Sequence, residues 1–115
     1  MTLEKFRKLV AIDPNDPLSR FALGKKLFEE DISDAGLREA AEHLTFANEK
    51  APEHLATYHV LGQVLMKLNR LDEAKRIFEL GIERCAGIGE GMGRDLAPAM
   101  QALLAELKVR SFGAS

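Results

Sequence analysis

Four glycines alternate along the run Gly87-Ile88-Gly89-Glu90-Gly91-Met92-Gly93. Glycines ahead of a helix can cradle a phosphate on bare amide N–H groups. The run has neither the spacing of a dinucleotide loop nor a following Lys-Ser/Thr, and no strand pattern precedes it. It is therefore read as a flexible connector. His43, His54 and His59 are not spaced as metal ligands on one helical turn, and the lone Cys85 adds no cluster. The acidic stretch around Asp31 and Asp34 lacks the alternating oxygen ligands and central glycine of a calcium loop, which leaves a solvated turn. Cys85 has no histidine beside it in sequence and reads as a packing residue. No acid, base and nucleophile set emerges. The expectation is a chain without catalysis, metal or cofactor.

The bulk properties agree. The chain has 115 residues, 46% of them hydrophobic, which suits one domain burying its own core. Sixteen Lys and Arg against eighteen Asp and Glu leave a net charge of −2, so there is no positive field to hold nucleic acid or an anionic membrane. No stretch approaches the ~20 continuous apolar residues of a membrane span. Charges run through the amino-terminal segment where a signal peptide would be apolar, and one cysteine cannot form an internal disulfide. A soluble, cytoplasmic protein is expected.

Apolar residues recur three and four apart almost throughout, the period of a helix. Leu3, Phe6, Leu9 and Val10 make a short amphipathic face that ends at Asp13-Pro14-Asn15-Asp16-Pro17. Asp16 reads as the N-cap and Pro17 as the first residue of a second helix, to about Glu29. Helices are then expected from about Ala35 to Lys50, Glu53 to Leu68 and Leu71 to Arg84. After the glycine run, Asp95 is expected to cap a last helix of about Leu96 to Val109, with Pro98 in its first turn and a frayed tail from Ser111.

Within this helical series a pattern recurs. Tyr58-x-x-Leu61-Gly62-x-x-Leu65 is followed by Ala74-x-x-x-Phe78, and Arg20-x-x-Leu23-Gly24-x-x-Leu27 by Ala40-x-x-x-Leu44. Distances match as well as types: Phe6 to Pro14, Leu44 to Pro52 and Phe78 to Ala86 are each eight residues, and Pro14 to Gly24 and Pro52 to Gly62 are each ten. The pattern resembles the tetratricopeptide repeat. Gly24 and Gly62 stand 38 residues apart, and the excess over the usual 34 is a four-residue insertion at Asp31 to Ala35. The resemblance implies an all-α fold: a short right-handed α-α superhelix of about six helices. Residues 2–16 would be a decayed half-repeat, 17–54 and 55–88 two repeats, and 95–110 a capping helix, since Leu104 stands where a third glycine would be. Gly24 and Gly62 are expected to face Ala40 and Ala74, letting paired backbones approach closely.

The family typically grips a peptide or helix on the concave side, lined by the first helix of each pair. The face opposite the helix crossings carries Phe21, Lys25, Phe28 and Glu29 in one unit and His59, Val60, Gln63, Met66 and Lys67 in the next. These are the candidate protein-binding residues. Phe21, Phe28 and Met66 fit packing against a neighbouring helix equally well, and His59 fits a solvated or hydrogen-bonded role. One branch of the family clamps carboxylate tails with Lys and Asn. Here Phe21 stands at the lysine position, and Lys25 and Val60 at asparagine positions, so tail clamping is disfavoured. The expected function is a non-catalytic protein-interaction module whose partner is a protein or peptide, not nucleic acid or membrane. The alternative is a self-associating structural subunit, a homo-oligomer using the groove or the capping helix.

Overall fold

In the computed structural model, residues 1–30, 33–88 and 92–113 are described; for residues 88, 92, 93 and 111–113 this means the backbone alone. They form six helices, α1 (Leu3–Ile12), α2 (Pro17–Glu30), α3 (Asp34–Lys50), α4 (Leu55–Lys67), α5 (Leu71–Ile88) and α6 (Met92–Gly113), and no strand occurs among the described residues. Helices pack chiefly on their sequence neighbours. α2 pairs with α3, and α4 with α5, which in turn carries α6. α3 joins the pairs by packing on α4, and α1 leans on α2. The result is an all-α helical repeat stack.

Local chemistry sets the element ends. Thr2 Oγ1 accepts from Lys5 N at the start of α1, and Asp16 accepts from Leu18 N and from the Ser19 hydroxyl at the start of α2. Ser33 Oγ accepts from Gly36 N at 3.1 Å, so α3 starts at Asp34, one residue earlier than expected. Pro52 follows the α3 cap, Ala51, whose own N–H still reaches Ala47 O at 2.9 Å. At the end of α4, Asn69 takes φ 60°, a conformation asparagine tolerates better than most residues. The Asn69 N–H donates to Met66 O and the Arg70 N–H to Leu65 O, closing a Schellman motif that satisfies two terminal carbonyls before α5 begins.

The core is the recurring pattern itself. Leu23, Leu27, Ala40, Leu44, Tyr58, Leu61, Leu65, Ala74 and Phe78 are all at most 3% exposed. Each buried Leu or Phe contributes about 1.5–3 kcal/mol relative to exposure. The residues facing the two glycines differ from the expectation. A Cβ on Gly24 would lie 2.7 Å from Leu44 Cγ and 3.2 Å from the Ala40 carbonyl oxygen; one on Gly62 would overlap the Phe78 ring, 2.7 Å from Cδ1 and closer to Cε1 and Cζ. The space freed by each glycine thus receives the large second-helix residue, and at Gly24 the Ala40 carbonyl is also among the nearest atoms. Gly81 makes a third close approach, where a Cβ would meet Tyr58 Cβ at 2.7 Å and Met100 Sδ at 2.8 Å. α4 and α6 both press on α5 there.

Several expected boundaries need correcting. α5 continues through Gly87 to Ile88 and α6 begins at Met92, so most of the glycine run is helical; residues 89–91 lie outside the described residues. Asp95 is therefore in the first turn of α6 rather than its cap, and Pro98 lies inside the helix. Backbone at 111–113 is helical rather than frayed. Packing of α6 along α5 outweighs the local preference against helix, about 1 kcal/mol for a glycine and about 3 kcal/mol for an interior proline. The insertion expected at Asp31 to Ala35 is in part absorbed by helix, since α2 reaches Glu30 and α3 starts at Asp34; residues 31–32 lie outside the described residues. On α1, Leu3, Phe6 and Val10 pack against the core, but Leu9 is 39% exposed because α2 alone supports this helix.

Candidate protein-binding groove

α2 and α6 each pack against α4, and a groove of about 370 Å³ opens between the three. α2 contributes Phe28, α4 contributes Gln63, Met66 and Lys67, and α6 contributes Leu103, Glu106 and Arg110. Spacings of three and four residues place each helix's contribution on one face. Phe28, Met66 and Leu103 are half-buried and rest on the core, forming an apolar floor. Lys67, Glu106 and Arg110 are exposed around it. An apolar floor with a few polar groups that can fix orientation suits a bound side chain better than bond-making chemistry.

Four of the nine candidate residues, Phe28, Gln63, Met66 and Lys67, therefore come together. Phe21, Lys25 and Glu29 line a second depression with Met1, Phe6, Ala22 and Lys26 at the α1 end. Seven residues of helix, about 10 Å, separate Phe21 from Phe28, so the two rings meet different neighbours. Phe21 packs edge-on against His54, with ring centroids 4.7 Å apart. Val60 is 7% exposed within the core cluster and offers a partner little surface. His59 is half-buried, and burial holds its imidazole below the ordinary value of 6.5, which favours the neutral form. Leu103, Glu106 and Arg110 fall outside the residues expected from sequence, because a capping helix offers no groove wall, although the Met100-x-x-Leu103 spacing follows the first helix of a unit.

A polar network braces the α1 end. Arg7 donates to both Glu39 oxygens, at 2.5 and 3.0 Å, and His43 Nε2 lies 3.2 Å from Glu39 Oε2. Arg20 Nη1 is 3.2 Å from His43 Nδ1. A guanidinium only donates, so Nδ1 accepts and the ring proton sits on Nε2, toward Glu39. Arg20 also donates to Pro14 O at 2.8 Å and stacks over Phe46 at 4.4 Å. The Arg7 hydrogen bond, opposed by partial burial and aided by His43, holds the Glu39 carboxyl below its usual range. These bonds join α1, α2 and α3 and act on structure. Cys85 is 3% exposed, and burial raises its thiol pKa, which suits packing rather than reactivity. Among the described residues, no group of three or more His, Cys, Asp or Glu could hold a metal ion, and no helix is long and apolar enough to cross a membrane.

Comparison with known proteins agrees with this architecture. The family model described as Tetratricopeptide repeat matches residues 37–84. The solution NMR structure of a tetratricopeptide repeat domain protein from Salinibacter ruber is similar to this chain with a TM-score of 0.68 and 25% identity, covering 83% of this chain and 89% of that one. No curated protein matches the sequence. The chain is a helical-repeat protein, and these matches support its assignment to the tetratricopeptide repeat family. That fold generally serves protein–protein interaction, and its members are generally non-catalytic.

Proposed function

We propose that the chain is a non-catalytic adaptor that holds a peptide or helix of a partner protein between α2, α4 and α6. The observation that carries this is the convergence of Phe28, Met66 and Leu103, one from each helix, on a shared apolar floor. Methionine there adapts its shape to an incoming side chain. Gln63 can both donate and accept, which suits the main chain of a bound segment. Lys67 and Arg110 add positive charge beside Glu106. The test is partner capture by affinity purification with Phe28→Ala/Met66→Ala. The double variant is expected to lose capture while keeping its helical circular dichroism, and Phe21→Ala is expected to retain most of it. Undiminished capture by the double variant would reject this groove.

A further inference from the structure

By its spacing α1 corresponds to the second helix of a unit, and among the described residues no first helix pairs with it. Phe6 lies eight residues before Pro14, as Leu44 lies eight before Pro52 and Phe78 eight before Ala86. Leu9 lies five before Pro14, as Ala47 and Gly81 lie five before Pro52 and Ala86. In the two complete units both positions are closed: Leu44 and Phe78 are 0% exposed, Ala47 is 1% exposed and Gly81 is buried. On α1 they are open. Phe6 is half-buried and Leu9 is 39% exposed, because α2 stands to α1 as α4 stands to α3, as the first helix of the following unit. A stacked repeat buries its apolar face only when the neighbouring helix is present.

The open face continues into a depression of about 270 Å³, where Phe6 meets Phe21, Ala22 and Lys25 of α2. A first helix paired with α1 would lie there, just as α2 packs on α3 and reaches α4. Lys25 and Glu29 carry opposite charges and Lys26 is paired with Glu30, so packing rather than charge selects the occupant. Size complementarity then defines it. Between α4 and α5 each glycine meets a ring: Gly62 lies against Phe78, and Gly81 against Tyr58. α1 presents large residues, Phe6 and Leu9, at both of the matching positions. An occupant must therefore be small at both facing positions, which are four residues apart on one helix face, as Tyr58 and Gly62 are.

We propose that the α1–α2 end of the stack docks an amphipathic helix of a partner protein, with glycine or alanine at two positions four apart on its apolar face, and so completes the half-repeat. The α2–α4–α6 groove stays free. The probe is a synthetic peptide with the sequence of residues 53–70 carrying Tyr58→Ala, titrated into the full nitrogen-15-labelled chain and followed by NMR. It is expected to shift the amides of α1 and of Phe21 to Lys25. It should bind at least about tenfold more tightly than the same peptide with the native tyrosine, and than one that also carries Gly62→Leu. On the protein, Leu9→Glu, at an exposed position, should weaken binding at least about tenfold, whereas Phe28→Ala/Met66→Ala should bind like the wild type. No saturable binding, equal binding of the three peptides, or undiminished binding to the Leu9 variant would overturn the proposal. Shifts confined to Gln63 and Leu103 that vanish in the Phe28/Met66 variant would overturn it too, by placing the helix in the adaptor groove. A chain that sedimentation velocity finds self-associated, with α1 amides already covered, would assign this face to a second copy instead.

Discussion

Gly62→Ala sets two effects of opposite sign against each other. Replacing a mid-helix glycine by alanine ordinarily gains about 1 kcal/mol. At Gly62, however, the new methyl would overlap the Phe78 ring at three atoms, and that ring is fully buried with nowhere to turn. Overpacking of this kind costs about 1–3 kcal/mol, and the depth of the overlap places it near the upper end. The net expectation is a loss of about 2 kcal/mol, roughly thirtyfold in the folding equilibrium. Urea denaturation followed by far-UV circular dichroism reads it directly. Phe78→Leu removes the overlapping ring edge, so the double variant should be more stable than the two single losses predict. The other unit already seats a leucine, Leu44, against Gly24. Gly87→Ala is the control: it lies in α5 with nothing within 4 Å of a new Cβ, and should stabilise by a few tenths to about 1 kcal/mol. If Gly62→Ala is as stable as the wild type and shows no coupling to Phe78→Leu, glycine at the helix crossing is not a packing requirement.

Asn69→Ala should cost about 1 kcal/mol because alanine resists φ 60°, whereas Asn69→Gly should be neutral or stabilising; thermal melts that rank them the other way would remove the strain assignment. Asn48 has a buried side-chain nitrogen without a hydrogen-bond partner among the described residues, so Asn48→Leu should raise stability by about 1 kcal/mol, and a lower melting temperature would contradict that. The folded-state pKa of Glu39 is depressed, so its stabilisation is present above the ordinary carboxylate value of 4.5 and fades as pH falls through the lower folded value. Glu39→Gln should therefore flatten the acid limb of a stability-versus-pH curve, and parallel curves for the two proteins would refute the pairing with Arg7.

Helix ends marked by proline or a capping side chain are legible in the sequence, because Asp16-Pro17 and Pro52 act on the backbone within a few residues. The repeat was legible through spacing for the same reason: the distances between Gly24, Leu44, Gly62 and Phe78 follow from how helices pair. What each glycine faces was not, since Ala74 and Phe78 sit one turn apart on the same face of α5, and only packing decides which side chain fills the gap. Gly87 and Gly93 point away from helix and Pro98 toward a helix start just before it, and contact between α5 and α6 overrides both signals. Half of the candidate groove followed from one face of α2 and α4. The α6 wall did not, because the angle at which a helix docks on its neighbours is a tertiary outcome that residue types on that helix do not encode.

The arrangement of α1 carries a kinetic consequence. It has no buried residue of its own, its backbone lies against α2, and Arg7 ties it to Glu39 of α3. α4, by contrast, is enclosed by α3, α5 and α6. Backbone amides of α1 should consequently exchange with solvent through cheap local openings, while those of α4 wait for the whole domain to open. Melting then begins at one terminus and proceeds inward, as a zipper does.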